Sequence, residues 1–313
     1  MRITVLAGGV GGARFLQGLR GAYPDAGITV IGNTADDIWL HGLKVCPDLD
    51  TVMYTLGGGI DTDRGWGRSN ETYSVLDELG RYGIQPLWFT LGDRDIGTHL
   101  VRTQLLSAGY ALHEVTAALC ERWHPGVTLL PMTNERVETH VVVDTGDGMT
   151  AMHFQQWWVQ HRADLPASDF RFIGIDEARP GPGVLEAIQE ADVVVLPPSN
   201  PVVSIGPILA VPGIREAIVA TGAPVVGVSG IIGGSPVKGM ADRCLAAIGV
   251  ESTAAAVADH YGSRRKGGIL DGWVYETGDP APDTIRASLA TSTLMTDDEA
   301  AAELARLTVG LVT

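Results

Sequence analysis

Residues 2–31 constrain the fold more than any other stretch. R-I-T-V-L-A (2–7) reads as a buried strand, the glycine knot Gly8, Gly9, Gly11, Gly12 follows it, residues 13–19 read as a helix, and 28–31 form a second apolar strand. Strand, tight turn, helix and strand within about 30 residues make a βαβ unit, which requires a parallel strand pair and a right-handed crossover. Open parallel sheets bind ligands beyond the carboxyl ends of their strands. The glycine knot and the acidic stretch after Ile31 are therefore expected at one edge.

The alternation returns late in the chain, with strands at 171–175, 192–196 and 224–228 and helices at 183–190, 212–220 and 238–247. Helices near 253–261 and 297–310 follow. Between the two halves, 47–124 looks mostly helical, and 138–144 and 149–159 are β-rich segments joined by T-G-D-G, a hairpin signal. The expected architecture is α/β: a three-layer, Rossmann-like, mostly parallel sheet with an inserted, largely helical cap and a β-hairpin. Residues 1–46 and 160–313 would form the nucleotide-binding core and 47–159 the inserted substrate region, in one compact unit.

Composition narrows the function. Hydrophobic content of 45% with 19% charged residues describes a folded chain. A net charge of -15 argues against nucleic acid as a partner, because a phosphate backbone needs a basic face. An anionic substrate would have to meet a local cation or a metal. Cys46, Cys120 and Cys244 are odd in number, far apart and without a zinc spacing, which fits a reducing cytoplasm. No apolar run approaches the roughly 20 residues of a membrane span, so no membrane is expected.

Asn33 to Thr51 packs Asp36, Asp37, Asp48 and Asp50 into fifteen positions. Charges this close repel unless water or a cation screens them. Oxygen ligands without a His/Cys clamp favour Mg²⁺ over zinc. Helix capping is the competing use: Asp48 follows Pro47 and precedes the helically spaced Leu49, Val52, Met53 and Leu56. Both readings stay open for each aspartate.

Three small-residue turns follow strands. Gly9, Gly11 and Gly12 sit where backbone N–H groups at a helix start hold phosphate, with Arg14 as the nearest cation. The turn is not a Walker A loop, and Asn33 stands where a dinucleotide fold needs a ribose-gripping acid, which argues against a nicotinamide dehydrogenase. Ser199 and Asn200 in L-P-P-S-N-P, and Ile232 and Gly233 in S-G-I-I-G-G-S, complete the set. Tight packing turns and helix caps would explain the same residues. Arg94 in L-G-D-R-D either neutralises a phosphate or pairs with its flanking aspartates. Trp39, Trp66 and Trp88 lie in or near loops, where a ring stacks on a planar ligand or anchors the core. His41 and His99 are candidate bases, or structural.

Taken together, A-G-G-V-G-G-A-R, N-T-A-D-D, P-D-L-D-T, L-G-D-R-D, H-F-Q-x-W-W (153–158), P-S-N-P and the late I-I-G resemble the CofD/FbiA family, the Fo-specific transferases of coenzyme F420 biosynthesis. C-P-D-L-D-T-V-M-Y-T-L-G-G-G-I-D with R-G-W-G resembles the actinobacterial phosphoenolpyruvate branch more than the archaeal phospholactate branch. The resemblance implies a donor, enolpyruvyl-diphospho-5′-guanosine, an acceptor, the deazaflavin Fo with its ribityl chain, loss of GMP, Mg²⁺ on the diphosphate and a homodimer. It implies Asp50 for Fo and metal, Asp36 as second metal ligand, Asp37 and Asp48 as weaker ones, and Gly9, Gly11 and Gly12 around phosphate. Ser199, Asn200 and the 231–234 turn would face guanosine, and Trp39, Trp66 or Trp88 the deazaflavin. Asp50→Asn is expected to abolish turnover with the fold intact. The alternatives are a lactyl-diphospho-guanosine donor and a regulator that binds nucleotide sugars without turnover.

Overall fold

The computed structural model describes all 313 residues. Its centre is a seven-stranded sheet of β1 (Arg2–Ala7), β2 (Gly27–Gly32), β3 (Thr128–Pro131), β4 (Val193–Leu196), β5 (Val225–Val228), β6 (Gly272–Glu276) and β7 (Ala287–Thr291). The spatial order is β7-β6-β5-β4-β1-β2-β3, and every pairing is parallel, so the sheet expected to be mostly parallel is parallel throughout. The order reverses between β1 and β4, which makes the crevice beyond their carboxyl ends the topological switch point.

Strand periodicity builds the two faces. Ile3, Val5 and Ala7 pack with Phe15, Leu16 and Leu19 of α1 (Gly9–Ala22), together with Val193 and Val195 of β4. Leu6, Val194 and Leu196 point the other way into a second core. Helix α2 (Pro47–Leu56) lies on the α1 side through Val52 and Met53. The last helix, Asp298–Gly310, also packs on α1 at Gly18, where a β-carbon would run into the backbone of Ala301.

Two strand assignments are corrected. Residues 167–173 do not join the parallel sheet; they pair antiparallel with Glu138–Asp144, which also pairs with Met149–His153. The reason is visible in A-S-D-F-R-F-I: polar and apolar residues alternate and none is fully buried, whereas interior parallel strands such as V-V-V-L are buried on both faces. Conversely T-L-L-P (128–131) is a core strand paired with β2, so the insertion expected at 47–159 is crossed by the sheet itself, and the core resumes after 173 rather than at 160. Strands β6 and β7 were unmarked in the sequence reading.

The helices of the cap are α3 (Ser74–Arg81), α4 (Asp93–Ser107) and α5 (Leu112–Trp123). Asn70 does not cap α3; it has a left-handed backbone, and Asp93 accepts the N–H groups of Ser74 and Val75 instead. In return Glu71 accepts those of Arg94 and Asp95 at the start of α4. The two helix starts satisfy each other's orphan donors.

No helix is long and apolar enough to cross a membrane. The bent pair Pro201–Ala210 and Ile214–Ala220 is apolar because Ile205, Ile208, Ile214 and Ile218 lie inside the core.

The loops after β1 and β4 interlock. Gly8 N–H donates to Ser199 Oγ at 3.3 Å and the Ser199 hydroxyl donates to Gly8 O at 2.8 Å. A β-carbon at Gly11 would collide with the Pro198 carbonyl oxygen, whereas one at Gly21 meets nothing within 4 Å. Gly11→Ala should therefore cost more than about 2 kcal/mol by overpacking backbone, and Gly21→Ala should gain roughly 0.5–1 kcal/mol of helix propensity. Urea denaturation of both variants reads the difference; equal stabilities would mean that the loops are not interlocked.

Candidate functional site

The four aspartates are buried, each no more than 8% exposed. They do not converge on one point. Residues on a helix turn by about 100° each, so positions two apart face nearly opposite ways. At the start of α2, Asp48 turns to the glycine knot and Asp50 to the cap. Asp36 and Asp37 are adjacent and likewise part.

Asp48 Oδ1 accepts Gly9 N–H at 2.8 Å, and its Oδ2 accepts Asn33 Nδ2–H at 2.9 Å. It thus places a carboxylate on the N-terminus of α1, where the helix dipole favours negative charge. Burial nevertheless pushes its carboxyl up to about 6, against the pull of Asn33 and the Gly9 amide. Asp36 is raised well above the usual carboxylate range, first by burial and then by the charge of Asp48, and its Oδ1 has no hydrogen-bond partner. Asp37 pairs with Lys44 at 3.0 Å and accepts the Cys46 thiol at 3.1 Å. The H-F-Q motif secures this loop from outside: His153 Nε2–H donates to Asp37 O at 3.1 Å and Gln155 Nε2–H to Asp36 O at 3.2 Å.

Asp50 belongs to a separate buried network. Its Oδ1 is ion-paired with Arg102 of α4, which also donates to His99 Nδ1 at 3.0 Å and to Lys44 O at 3.3 Å. His99 Nε2 stands 3.4 Å from Asp95 Oδ2, and Tyr54 donates to Asp95 Oδ1 at 2.6 Å. Burial raises Asp50, while the Arg102 guanidinium opposes the rise. Asp50, Tyr54, Asp95 and His99 line a narrow cavity of about 50 Å³ whose wall also includes Pro47, Thr51, Trp66, Gly67, Phe89 and Thr90. A larger hollow of about 190 Å³ around Arg2, Gly27 and Thr128 lies at the amino ends of the strands, the wrong end of such a sheet for a ligand.

Nowhere do three His, Cys, Asp or Glu side chains come close enough to hold a metal ion by themselves. The single four-aspartate site is thus corrected: Asp37 is committed to Lys44 and Asp50 to Arg102. Mg²⁺ usually takes only one or two carboxylates and completes its shell with phosphate oxygens and water. Asp36 and Asp48 fit that share, since two buried acids repel and one oxygen has no partner.

Other expected site residues have internal tasks. Arg14 pairs with Asp298 at 2.6 Å and tethers the last helix. Asn33 is fully buried, bonded to Asp48 and to Val203 O. Ser199 stitches the two loops, and Asn200 Oδ1 accepts the N–H groups of Val202 and Val203 as a cap. Gly11 and Gly12 face Pro198 and Ser199, not open space. Gly9, with φ +68°, alone of the three looks outward, and its amide is held by Asp48. Gly233 N–H donates to Asp279, and Ile232 pairs with Ser235 in a small hairpin. Among the tryptophans only Trp66 lines the cavity; Trp39 is 46% exposed and Trp88 packs edge-on against Phe89. Arg94 is exposed and forms no ion pair, so neither flanking aspartate claims it. His41 forms a hairpin turn between Ile38–Leu40 and Leu43–Val45 and stays outside the cavity.

Three residues escaped the sequence reading. Arg102 was detectable, because Asp95, His99 and Arg102 recur at i, i+4 and i+7 on one helix face. Arg68, whose guanidinium lies 4.8 Å over the Trp123 ring, had no signal. Nor had Lys238, an exposed cation brought beside Gly65 and Val10 at the mouth of the glycine knot.

The profile of the CofD family, described as 2-phospho-L-lactate transferase CofD, matches residues 3–310. The chain is 62% identical to a phosphoenolpyruvate transferase of Streptomyces coelicolor over 98% of this chain and 96% of that one. It is 58% identical to one of Thermobifida fusca, covering 99% and 98%, and 56% identical to one of Mycolicibacterium smegmatis, covering 98% and 97%. A crystal structure of a UPF0052 family protein from Bacillus halodurans shares the fold, with a TM-score of 0.62 and 21% identity over 98% of this chain and 99% of that one.

The Asp48 carboxyl sets a pH test. Its folded-state value lies above the unfolded value of about 3.9, so the folded chain holds the extra proton. That contribution is complete below pH 4 and lost as pH rises to about 6, at a cost on the order of 3 kcal/mol above it. Relative to Asp48→Asn, the wild type should lose this much between pH 4 and 7 in chelator. Millimolar Mg²⁺ should then raise the melting temperature of the wild type at pH 7.5 and not at pH 4.5. A pH-independent difference between the two proteins would rule out the raised carboxyl.

Proposed function

The chain belongs to the CofD family, and we propose that it moves the phosphoenolpyruvate group of enolpyruvyl-diphospho-5′-guanosine onto the terminal hydroxyl of Fo, releasing GMP and forming dehydro-coenzyme F420-0. It is a transferase of coenzyme F420 biosynthesis, as the family match across the chain and relatives at 54–62% identity named phosphoenolpyruvate transferase indicate. A nucleotide-linked donor and an Fo-type acceptor follow at that level. The finer assignments are ours.

One observation carries them. Asp48, bonded to the N-terminus of α1, and Asp50, on the aromatic cavity, share the first turn of α2. The donor's diphosphate at the switch point and the acceptor's alcohol in the cavity would thereby meet across one helical turn. Asp50 Oδ2 has no hydrogen-bond partner, so it is free to hold the attacking hydroxyl in line and take up its proton. Arg102 holds that carboxylate still. Asp36 and Asp48 would hold Mg²⁺, which when bound neutralises diphosphate charge. Gly9 offers the outward-facing backbone, and Lys238 and Arg94 offer unpaired cations to an anionic donor in an acidic protein. Trp66 and Phe89 would flank the deazaflavin, and the turn at Ile232 and Gly233 would border the guanosine. Positioning and charge neutralisation suffice for such a phosphoryl transfer.

A cytoplasmic setting is supported by three unpaired cysteines. A homodimer is supported by exposed apolar side chains on the cap, among them Val75, Tyr82, Ile84, Leu100 and Val101.

Incubation of protein, Mg²⁺ and Fo with each donor, read by mass spectrometry, tests the reading. The enolpyruvyl donor should turn over at least about tenfold faster than the lactyl donor, a preference of 1.4 kcal/mol or more. A lactyl preference would move the chain to the 2-phospho-L-lactate reaction that the family description names, and saturable binding without product would make it a regulator.

Asp50→Asn should lower kcat by about 10²- to 10⁴-fold. It should also cost roughly 3–5 kcal/mol, because it leaves Arg102 charged and unpaired in the interior. An intact fold is therefore not expected of this variant, contrary to the reading from sequence. A fully active variant would remove Asp50 from the reaction.

A further inference from the structure

His99 has one ring nitrogen whose role is fixed by its neighbour. Arg102 donates to His99 Nδ1 at 3.0 Å, and a guanidinium has only donors, so Nδ1 is the acceptor and the ring proton of the neutral imidazole sits on Nε2. That Nε2–H is buried and forms no hydrogen bond; the nearest acceptor, Asp95 Oδ2, is 3.4 Å away, while Tyr54 holds the other oxygen, Oδ1. Asp50 Oδ2, 3.8 Å from His99 Nδ1, is an equally buried acceptor without a donor. His99 is fully buried and Asp50 4% exposed, yet both line the cavity walled by Trp66 and Phe89. Native interiors seldom leave such groups unpaired, and two together in one cavity point to a ligand that completes them.

The pair is one donor and one acceptor, and a hydroxyl is a group that both accepts and donates. We infer that His99 is an acceptor-binding residue: its Nε2–H and Asp50 Oδ2 together take hydroxyl groups of a polyol chain, with Arg102 as the positioning residue that orients both. The inference rests on the proposed reaction, in which Fo brings a ribityl chain, and adds the side chain that recognises that chain. Arg102 does this by contact with Asp50 and His99 at once, which no cation of different shape would reproduce. A site built this way rejects an analogue that lacks the hydroxyl, because its own donor and acceptor would stay unpaired.

Fluorescence titration of the full chain with two deazaflavins, one carrying the ribityl chain and one an alkyl chain of equal length, tests this. The wild type should bind the ribityl compound on the order of 10²-fold more tightly. His99→Leu should lose most of that preference while keeping its affinity for the alkyl compound and for GDP. His99→Gln, which restores an N–H donor, should return ribityl binding to within about threefold of the wild type. Equal wild-type affinity for the two chains would overturn the assignment even if neither variant folded, as would a His99→Leu protein that still prefers the ribityl compound. In either case product formation from Fo would leave the proposed reaction standing. A wild type that binds no deazaflavin would overturn both.

Discussion

Four carboxylates are buried where the first parallel strands meet the cap, and each must be compensated where it stands. Burial pushes every one of them toward the neutral form. Asp37 is answered by Lys44 and Cys46, Asp50 by Arg102, and Asp48 by Asn33 and a helix N-terminus. Asp36 is the least compensated, with an orphaned oxygen and Asp48 as its neighbour. An interior this acidic, in a chain of net charge -15, is poised to gain from a cation. Stability and the proposed metal binding would therefore be coupled through the same side chains.

The sheet makes this arrangement possible by bringing its loops together at the switch point. Ser199 and Pro198 on the loop after β4 pack so closely on Gly8, Gly11 and Gly12 that those glycines answer first to the protein's own backbone. Only Gly9 keeps an open face. The glycine knot is thus an interlock first, and Gly9 alone keeps the open face that the proposed phosphate contact would need.

The cap is joined to the core by apolar contact, through Leu112, Val115, Leu119 and Trp123 of α5, and by a chain of polar contacts from Tyr54 through Asp95, His99 and Arg102 to Asp50. A network of this kind fixes orientation more than it adds stability, because buried ions lose solvation. Two of its buried atoms, His99 Nε2 and Asp50 Oδ2, form no hydrogen bond, and both residues line the same cavity. The structure therefore keeps a rigid, incomplete set of partners beside the helix turn that also carries Asp48.

The local grammar was legible in the sequence. Apolar runs and glycine punctuation gave β1, α1, β2, β4, β5 and the hairpin at 138–153, and with them the α/β class, because strand burial and helix periodicity are properties of consecutive residues. Short strands without that signal, such as T-L-L-P, were missed, and the alternating 167–173 was put in the wrong sheet. The motifs, matched together, indicated the family. What the sequence could not decide was which partner each acid would have. Asp48 and Asp50 look like one cluster in the sequence, but helix geometry turns them apart, and Asp50 finds a guanidinium 52 residues away. Spacing along the chain fixes which faces exist; only folding brings Arg102, Ser199 and Lys238 to them, because burial and charge compensation are settled between segments distant in sequence.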